Sequence, residues 1–164
     1  MLKIKTIFFI SFLLISACTG NELQLTEKEE DKIKKEVNES FEGLIKASKS
    51  LDADRYFKYF DKEKFTGLNV DGTVWHSIND LEKMIRPGFS MIERIQSLEF
   101  NNVKISVINK TTAILVNEYK DTALLKGGEL ISGAGGGTQV WSKSSGDWRL
   151  VNVSGSVKPQ DIAN

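Results

Sequence analysis

Hydrophobic and polar positions repeat with two different periods along this chain. Between residues 27 and 49, apolar side chains recur every three or four residues; they are Ile33, Val37, Phe41, Leu44 and Ile45. Lysine and glutamate fill most of the positions between them, which is the pattern of an amphipathic helix with one buried face. Thr26 and Glu29 form the Thr-x-x-Glu capping box that begins a helix. We therefore predict a helix from about Glu27 to Lys49.

Two shorter segments follow this helix. Asp52 can cap a second, short helix that carries the aromatic residues of the segment 56–60. In the segment 70–74, an Asp-Gly pair lies between residues that favour strands, which predicts a hairpin.

A third helix is predicted to begin at Ser77, with Asp80 three residues later as part of a helix-start pattern. Apolar residues continue at roughly helical spacing as far as Ile95. Proline has no backbone N–H, and its ring clashes with the preceding turn. We therefore expect Pro87 to cause a kink or a break near Arg86.

From Leu98 onward the period becomes two, which predicts strands. Four long strands are expected, beginning near Leu98, Ala113, Leu130 and Trp148, with turns between them. Helices first and strands last predict an α+β fold, in which the helices pack on one face of a curved, mainly antiparallel sheet.

The first seventeen residues have the features of a secretory signal peptide. Two lysines precede an apolar run of about a dozen residues, whereas a membrane-spanning helix needs roughly 20. The sequence Ile15-Ser16-Ala17-Cys18 is similar to the lipobox of bacterial lipoproteins. The resemblance implies that residues 1–17 are removed and that Cys18 carries lipid. The alternative is an ordinary signal peptide with an incidental cysteine.

A lipid on Cys18 would hold the protein on a membrane without spanning it, because two or more acyl chains anchor stably. Thr19 stands where the lipoprotein family has the Asp that retains proteins at the inner membrane. This implies the outer membrane of the bacterial cell envelope, if the cell has two membranes. We expect residues 18–25 to form a lipidated tether, residues 26–159 a single domain, and residues 160–164 a tail.

Composition excludes several classes of protein. The 164 residues carry 22 basic and 22 acidic side chains, and this neutrality argues against a nucleic-acid partner. One cysteine and one histidine exclude a disulfide framework and a metal centre of several His or Cys ligands. No cofactor is expected.

The last part of the chain carries a family resemblance. Residues 138–141 (Thr-Gln-Val-Trp) and 146–156 (Gly-Asp-Trp-Arg-Leu-Val-Asn-Val-Ser-Gly-Ser) resemble the closing strands of the NTF2-like superfamily, in its SnoaL-like branch. The resemblance extends over 26–159. It implies a sheet that wraps around the long helix and leaves a conical cavity. That superfamily includes ketosteroid isomerase, limonene-epoxide hydrolase and polyketide cyclases, and also non-enzymatic binding and oligomerisation modules, so the fold does not choose the function.

Candidates for catalysis are few. In the related isomerases the base lies on the strand after the second helix, but residues 65–70 contain no carboxylate. Histidine is the side chain that most often serves as a general base in enzymes, so His76 could act as a base, with Glu118 as its orienting carboxylate. Tyr56 could supply a phenol. The alternative is that His76 has no chemical role at a strand-to-helix junction.

Candidates for ligand binding follow from strand parity. On the last strand, Trp148, Leu150, Asn152 and Ser154 share one face, and a few polar groups beside an apolar floor are typical of a ligand pocket. The predicted ligand-binding residues are Tyr56, Trp75, His76, Trp148, Asn152 and Ser154. The alternative is that Asn152 and Ser154 bond to neighbouring strands or to water. The glycine-rich segment 133–137 lacks the Gly-Lys-Ser/Thr of a phosphate-binding loop and is expected to form a bulge or bend.

Three functions remain open at this point. The favoured one is a membrane-anchored lipoprotein whose non-catalytic domain binds a small, partly apolar ligand or a protein partner. The first alternative is an isomerase, dehydratase or cyclase that uses His76 or Tyr56. The second is a structural module that forms a homodimer through the outer face of the sheet.

Overall fold

The computed structural model describes residues 25–158, so Cys18 and the predicted signal peptide lie outside the described residues. The helices are α1 (Glu27–Lys49), α2 (Ala53–Phe57) and α3 (Ile78–Met91). The strands are β1 (Thr66–Leu68), β2 (Val74–Trp75), β3 (Ile92–Asn109), β4 (Thr112–Leu125), β5 (Leu130–Ser142) and β6 (Arg149–Val157). None of these helices combines the length and the apolar character that crossing a membrane requires.

The six strands form one sheet in the order β2-β1-β6-β5-β4-β3. All neighbouring strands are antiparallel except β1 and β6, which run parallel. The sheet is curved, and the helices pack on its concave face. The predicted α+β fold is therefore confirmed.

Helix α1 has the bounds and the cap that the pattern predicts. Thr26 Oγ1 accepts a hydrogen bond from the Glu29 backbone N–H at 3.3 Å, and Glu29 Oε2 accepts one from the Thr26 backbone N–H at 2.9 Å. These bonds and the neighbouring Lys110 ammonium lower the pKa of Glu29 to about 2. The buried side of α1 faces the sheet, where the ring of Phe41 meets the edge of Phe100 with centroids 5.1 Å apart.

A second polar contact ties α1 to the sheet. Glu36 Oε2 accepts hydrogen bonds from Trp148 Nε1 at 2.8 Å and from Lys143 Nζ at 2.7 Å. Both bonds lower the pKa of the Glu36 carboxyl. Trp148, only 4% exposed, thus fixes the β5–β6 turn against the helix rather than facing a cavity.

Of the predicted kink or break in the third helix, the break does not occur. Helix α3 continues through Pro87 and ends at Met91, and Ile92 to Ile95 belong to β3 instead. Proline removes one helical hydrogen bond, but the surrounding turn keeps its conformation here, and the Ser90 hydroxyl donates to the Pro87 carbonyl at 2.7 Å. The helix ends where Ile92 pairs with Leu125 on β4, because strand pairing takes over the backbone groups.

Strand β6 contains an irregularity that the sequence pattern did not reveal. Trp141 on β5 pairs with Leu150, but the preceding Val140 pairs with Asn152, so Val151 is an extra residue in β6. Such a bulge shifts the alternation of side chains between the two faces. Leu150 therefore lies on the concave face with Trp141, whereas Asn152 lies on the outer face with Val140. The parity prediction for this strand is wrong.

Candidate functional site

Three alternate glycines of β5 form a floor on the concave face of the sheet. Gly133, Gly135 and Gly137, here called the glycine floor, lie opposite the β4 residues Asp121, Tyr119 and Asn117, respectively. The register between β4 and β5 runs through this segment without a shift, so the segment contains no bulge toward β4.

The glycine floor has a steric cause. A Cβ on Gly133 would lie 2.9 Å from Asp121 Oδ1, and one on Gly135 would lie 2.6 Å from the Tyr119 hydroxyl. One on Gly137 would lie 3.4 Å from the side-chain oxygen of Asn117, which is an ordinary contact distance. The side chains of β4 thus lie across the main chain of β5, and at positions 133 and 135 glycine is the residue that lets neighbouring atoms approach.

The side chains over this floor form the polar strip, defined as Asn117, Tyr119, Asp121 and Gln139. Trp141 Nε1 donates to Gln139 Oε1 at 3.0 Å, and Gln139 Nε2 donates to Asn117 Oδ1 at 3.5 Å. Tyr119 donates its hydroxyl proton to the Ser156 carbonyl at 3.3 Å. These bonds hold the buried end of the strip in one arrangement.

The other end of the strip is half-buried and carries charge. Burial raises the pKa of the Asp121 carboxyl, since the charged form loses solvation. Burial also raises the pKa of Tyr119, with a smaller contribution from the negative charge of Asp121. A carboxylate and a phenol therefore lie close together on the concave face, where both remain accessible.

The predicted site residues are not brought together. Tyr56 packs in an aromatic cluster with Phe57, Phe60 and Phe89, with ring centroids 5.0–5.5 Å apart. Burial strongly raises the pKa of its hydroxyl. Trp75 is 7% exposed and covers Gly67, so it belongs to the core.

The hypothesis that Glu118 orients His76 is wrong. His76 is exposed after the edge strand β2, while Glu118 lies on β4, four strand positions away. At about 4.8 Å per strand, this separation is about 19 Å. Moreover, the Glu118 carboxylate accepts hydrogen bonds from Lys158 Nζ at 2.8 Å and Asn102 Nδ2 at 2.9 Å.

The polar residues predicted on β6 lie on the outer face. Asn152 Nδ2 donates to the carbonyl and the hydroxyl of Thr66, both at 3.2 Å, so the neighbouring strand uses its amide. Ser154 pairs with Thr138 and lines a shallow depression of about 300 Å³. Neither residue shares a face with Leu150, as the β6 bulge explains.

The described residues contain other concave features but no group of three or more metal ligands. One depression, of about 590 Å³, lies between the loop after α2 and the β5–β6 turn. Its lining mixes lysines with Asp61, whose Oδ1 accepts the backbone N–H bonds of Glu63 and Lys64 at 3.0 Å. It is an open, mixed-charge surface, and it offers no converging set of ligand-binding groups.

Sequence reasoning missed the polar strip entirely. The signal that could have found it is the spacing of the glycines, which occupy alternate positions of a strand rather than a loop. Alternate glycines predict that another element approaches one face of that strand closely. Polar residues at the alternate positions 117, 119 and 121 are the matching half of this pattern.

Comparison with known proteins agrees with this architecture. The model of the SnoaL-like domain family matches residues 37–159, and the chain belongs to this family. A search of curated proteins found no significant match.

Solved structures with the same fold carry descriptions of widely different functions. An NTF2-like superfamily protein from Salmonella enterica is 18% identical, with a TM-score of 0.68 over 82% of this chain and 99% of the other. The association domain of CaMKII from C. elegans is 20% identical, with a TM-score of 0.63 over 80% and 99%. A candidate scytalone dehydratase from Novosphingobium aromaticivorans is 10% identical, with a TM-score of 0.72 over 81% and 89%. At these identities the likeness establishes the fold alone.

Proposed function

We propose that this protein is a lipoprotein of the bacterial cell envelope, held on a membrane by lipid on Cys18. Its SnoaL-like domain binds a small, partly apolar ligand on the concave face of the sheet, without catalysis. The observation that carries the ligand-binding part is the glycine floor beneath the polar strip. There, hydrogen-bonding groups in a fixed arrangement adjoin apolar surface, as in small-molecule sites.

The positions of the two predicted catalytic residues do not support the enzymatic alternative. An isomerase or dehydratase needs a positioned acid and base within reach of the same substrate. His76 is exposed at the sheet edge, and Tyr56 is enclosed by aromatic rings, so neither supports the enzymatic alternative.

A ligand titration with matched variants tests this proposal. The probe is para-ethylphenol, a neutral, partly apolar molecule, added to the isotopically labelled full-length protein in detergent micelles and followed by two-dimensional NMR. We expect the backbone amide resonances of the glycine floor to change their chemical shifts when the probe binds. Gly137→Val places a side chain over the floor and should weaken binding at least roughly tenfold.

The neighbouring glycine provides the control. Gly136 faces the opposite side of the sheet, where a Cβ would meet no atom closer than 3.6 Å. Gly136→Val should therefore bind the probe as the wild type does. Equal weakening by both variants, or no shifts at the floor in the wild type, would show that the concave face is not the site.

A second candidate function is assembly into a homodimer through the outer face of the sheet. On this face Val116 is 39% exposed, and the half-buried Ile114 and Val140 lie beside it. The CaMKII association domain shares the fold, and its name denotes assembly.

Sedimentation in density-matched detergent at micromolar concentration tests this second candidate. We expect a dimer that becomes a monomer in Val116→Lys, because a charge in an apolar interface is costly. Met91→Lys, at an exposed position at the end of α3, should leave the dimer intact. A monomeric wild type would contradict this candidate and leave the ligand-binding proposal untouched.

A further inference from the structure

The geometry of the polar strip points to one class of ligand. We infer that the site takes a small organic cation, an amine attached to a flat apolar body, and that its ammonium group binds the Asp121 carboxylate. This inference rests on the proposed function, since it names the ligand of the same concave site.

Charge around Asp121 carries the first step. Within residues 25–158 its oxygens form no ion pair, and burial is the sole cause of the raised pKa. Its neighbours on the concave face are uncharged: Leu98 and Gly133 lie across from it, and Ala123 follows two residues later. A half-buried carboxylate without a counter-ion has lost part of its hydration. A charge-assisted hydrogen bond from a ligand ammonium would compensate for that loss.

The hydrogen-bonding groups near Asp121 carry the second step. The Tyr119 hydroxyl gives its proton to the Ser156 carbonyl, so toward a ligand it offers lone pairs. The accessible end of the strip therefore presents acceptors from both Asp121 and Tyr119. Two acceptors side by side select a ligand that carries N–H or O–H donors, and an ammonium group has three.

The surface around these acceptors carries the third step. The glycine floor has no side chains of its own, and the side chains of Asp121 and Tyr119 lie across it. Leu98, Ile95 and Ile131 supply apolar surface on the same face. A flat apolar group fits against such a surface, while its amine reaches the carboxylate.

A series of three probes with one ring and different charge tests the inference. Tyramine is a cation near neutral pH, para-ethylphenol is neutral, and hydroxyphenylpropionate is an anion. Each is titrated into the labelled full-length protein in micelles, as above. We expect tyramine to bind about tenfold more tightly than para-ethylphenol, and hydroxyphenylpropionate to bind most weakly.

Two variants with the same change of charge separate a direct contact from a general effect. Asp121→Asn should remove the tenfold advantage of tyramine over para-ethylphenol. Glu118→Gln alters the same strand on its outer face and should keep the full advantage of tyramine.

The outcomes distinguish the two proposals. If para-ethylphenol or hydroxyphenylpropionate binds at the glycine floor as tightly as tyramine, the ligand class is wrong while the site stands. Retention of the tyramine advantage in Asp121→Asn would also overturn the ligand class. If none of the three probes shifts the floor amides, both proposals fail. The comparison of probes on the wild type needs no variant, so it holds even if Asp121→Asn does not fold.

Discussion

Gly135→Ala is expected to lower the free energy of unfolding by about 3 kcal/mol, near the upper end of what overpacking usually costs. The added Cβ would overlap the Ser156 carbonyl oxygen and lie 2.6 Å from the Tyr119 hydroxyl. A tyrosine can turn aside, but the carbonyl belongs to the paired strand β6 and can move only if the sheet moves. Urea titration followed by circular dichroism measures the loss.

Gly136→Ala is the matched control for this prediction. It makes the same change one residue later, on the face where the nearest atoms lie 3.6 Å away. Its effect should stay within about 0.5 kcal/mol of zero. Equal stability of Gly135→Ala and Gly136→Ala would contradict the close approach of β4 and β6 to the glycine floor.

Cys18→Ser is expected to abolish fatty acylation of the protein. Each buried methylene contributes about 0.8 kcal/mol to membrane binding, so the loss of two or more chains removes the whole anchor. The measurement is incorporation of labelled palmitate into the full-length chain expressed in a bacterium. Acylation is the readout because an uncleaved signal peptide could itself hold the variant on the membrane.

Thr19→Ser serves as the control for the acylation experiment. It changes the neighbouring residue and keeps the cysteine, so the palmitate label should persist. A wild-type protein that carries no label would show that Cys18 is incidental, and the anchoring proposal would fall. The ligand-binding proposal would remain, since it depends on residues of the folded domain.

Local signals predicted most of the fold. The bounds of α1 followed from a capping box and one apolar stripe, both of which act within a few residues. The hairpin turn followed from Asp71-Gly72, where Gly72 has a φ of +89°. By contrast, the switch from α3 to β3 depends on pairing with β4, more than thirty residues later, and the local pattern cannot report a distant partner.

The faces of β6 could not be predicted, because one extra residue reverses the alternation. Parity assumes an unbroken strand, and nothing in the identity of Val151 marks it as the extra residue. The prediction therefore joined Asn152 to Leu150, although they lie on opposite faces. Strand parity alone predicts that Trp148 faces a pocket. Its actual hydrogen-bond partner, Glu36, lies more than a hundred residues earlier, and no local pattern indicates that contact.

The candidate site required the register between two strands. The sequence contains alternate glycines at 133, 135 and 137 and polar residues at 117, 119 and 121, but it does not state that they are opposite one another. The pairing of β4 with β5 places the polar residues opposite the glycines, and the two sets then form one surface. It also explains why Asp121, an ordinary acidic residue in the sequence, becomes a half-buried charge.

Two glycines of the floor are in contact with different kinds of atoms, main chain at 135 and side chain at 133, and the two positions should therefore differ in how readily they accept other residues during evolution. Position 135 is blocked by main chain, so a side chain there is excluded whatever residue occupies 119. Position 133 is blocked only by the Asp121 carboxylate, so it can gain a side chain in a lineage where residue 121 has become smaller. The aspartate side chain can also turn aside, so among descendants of this protein residue 133 should vary more than residue 135.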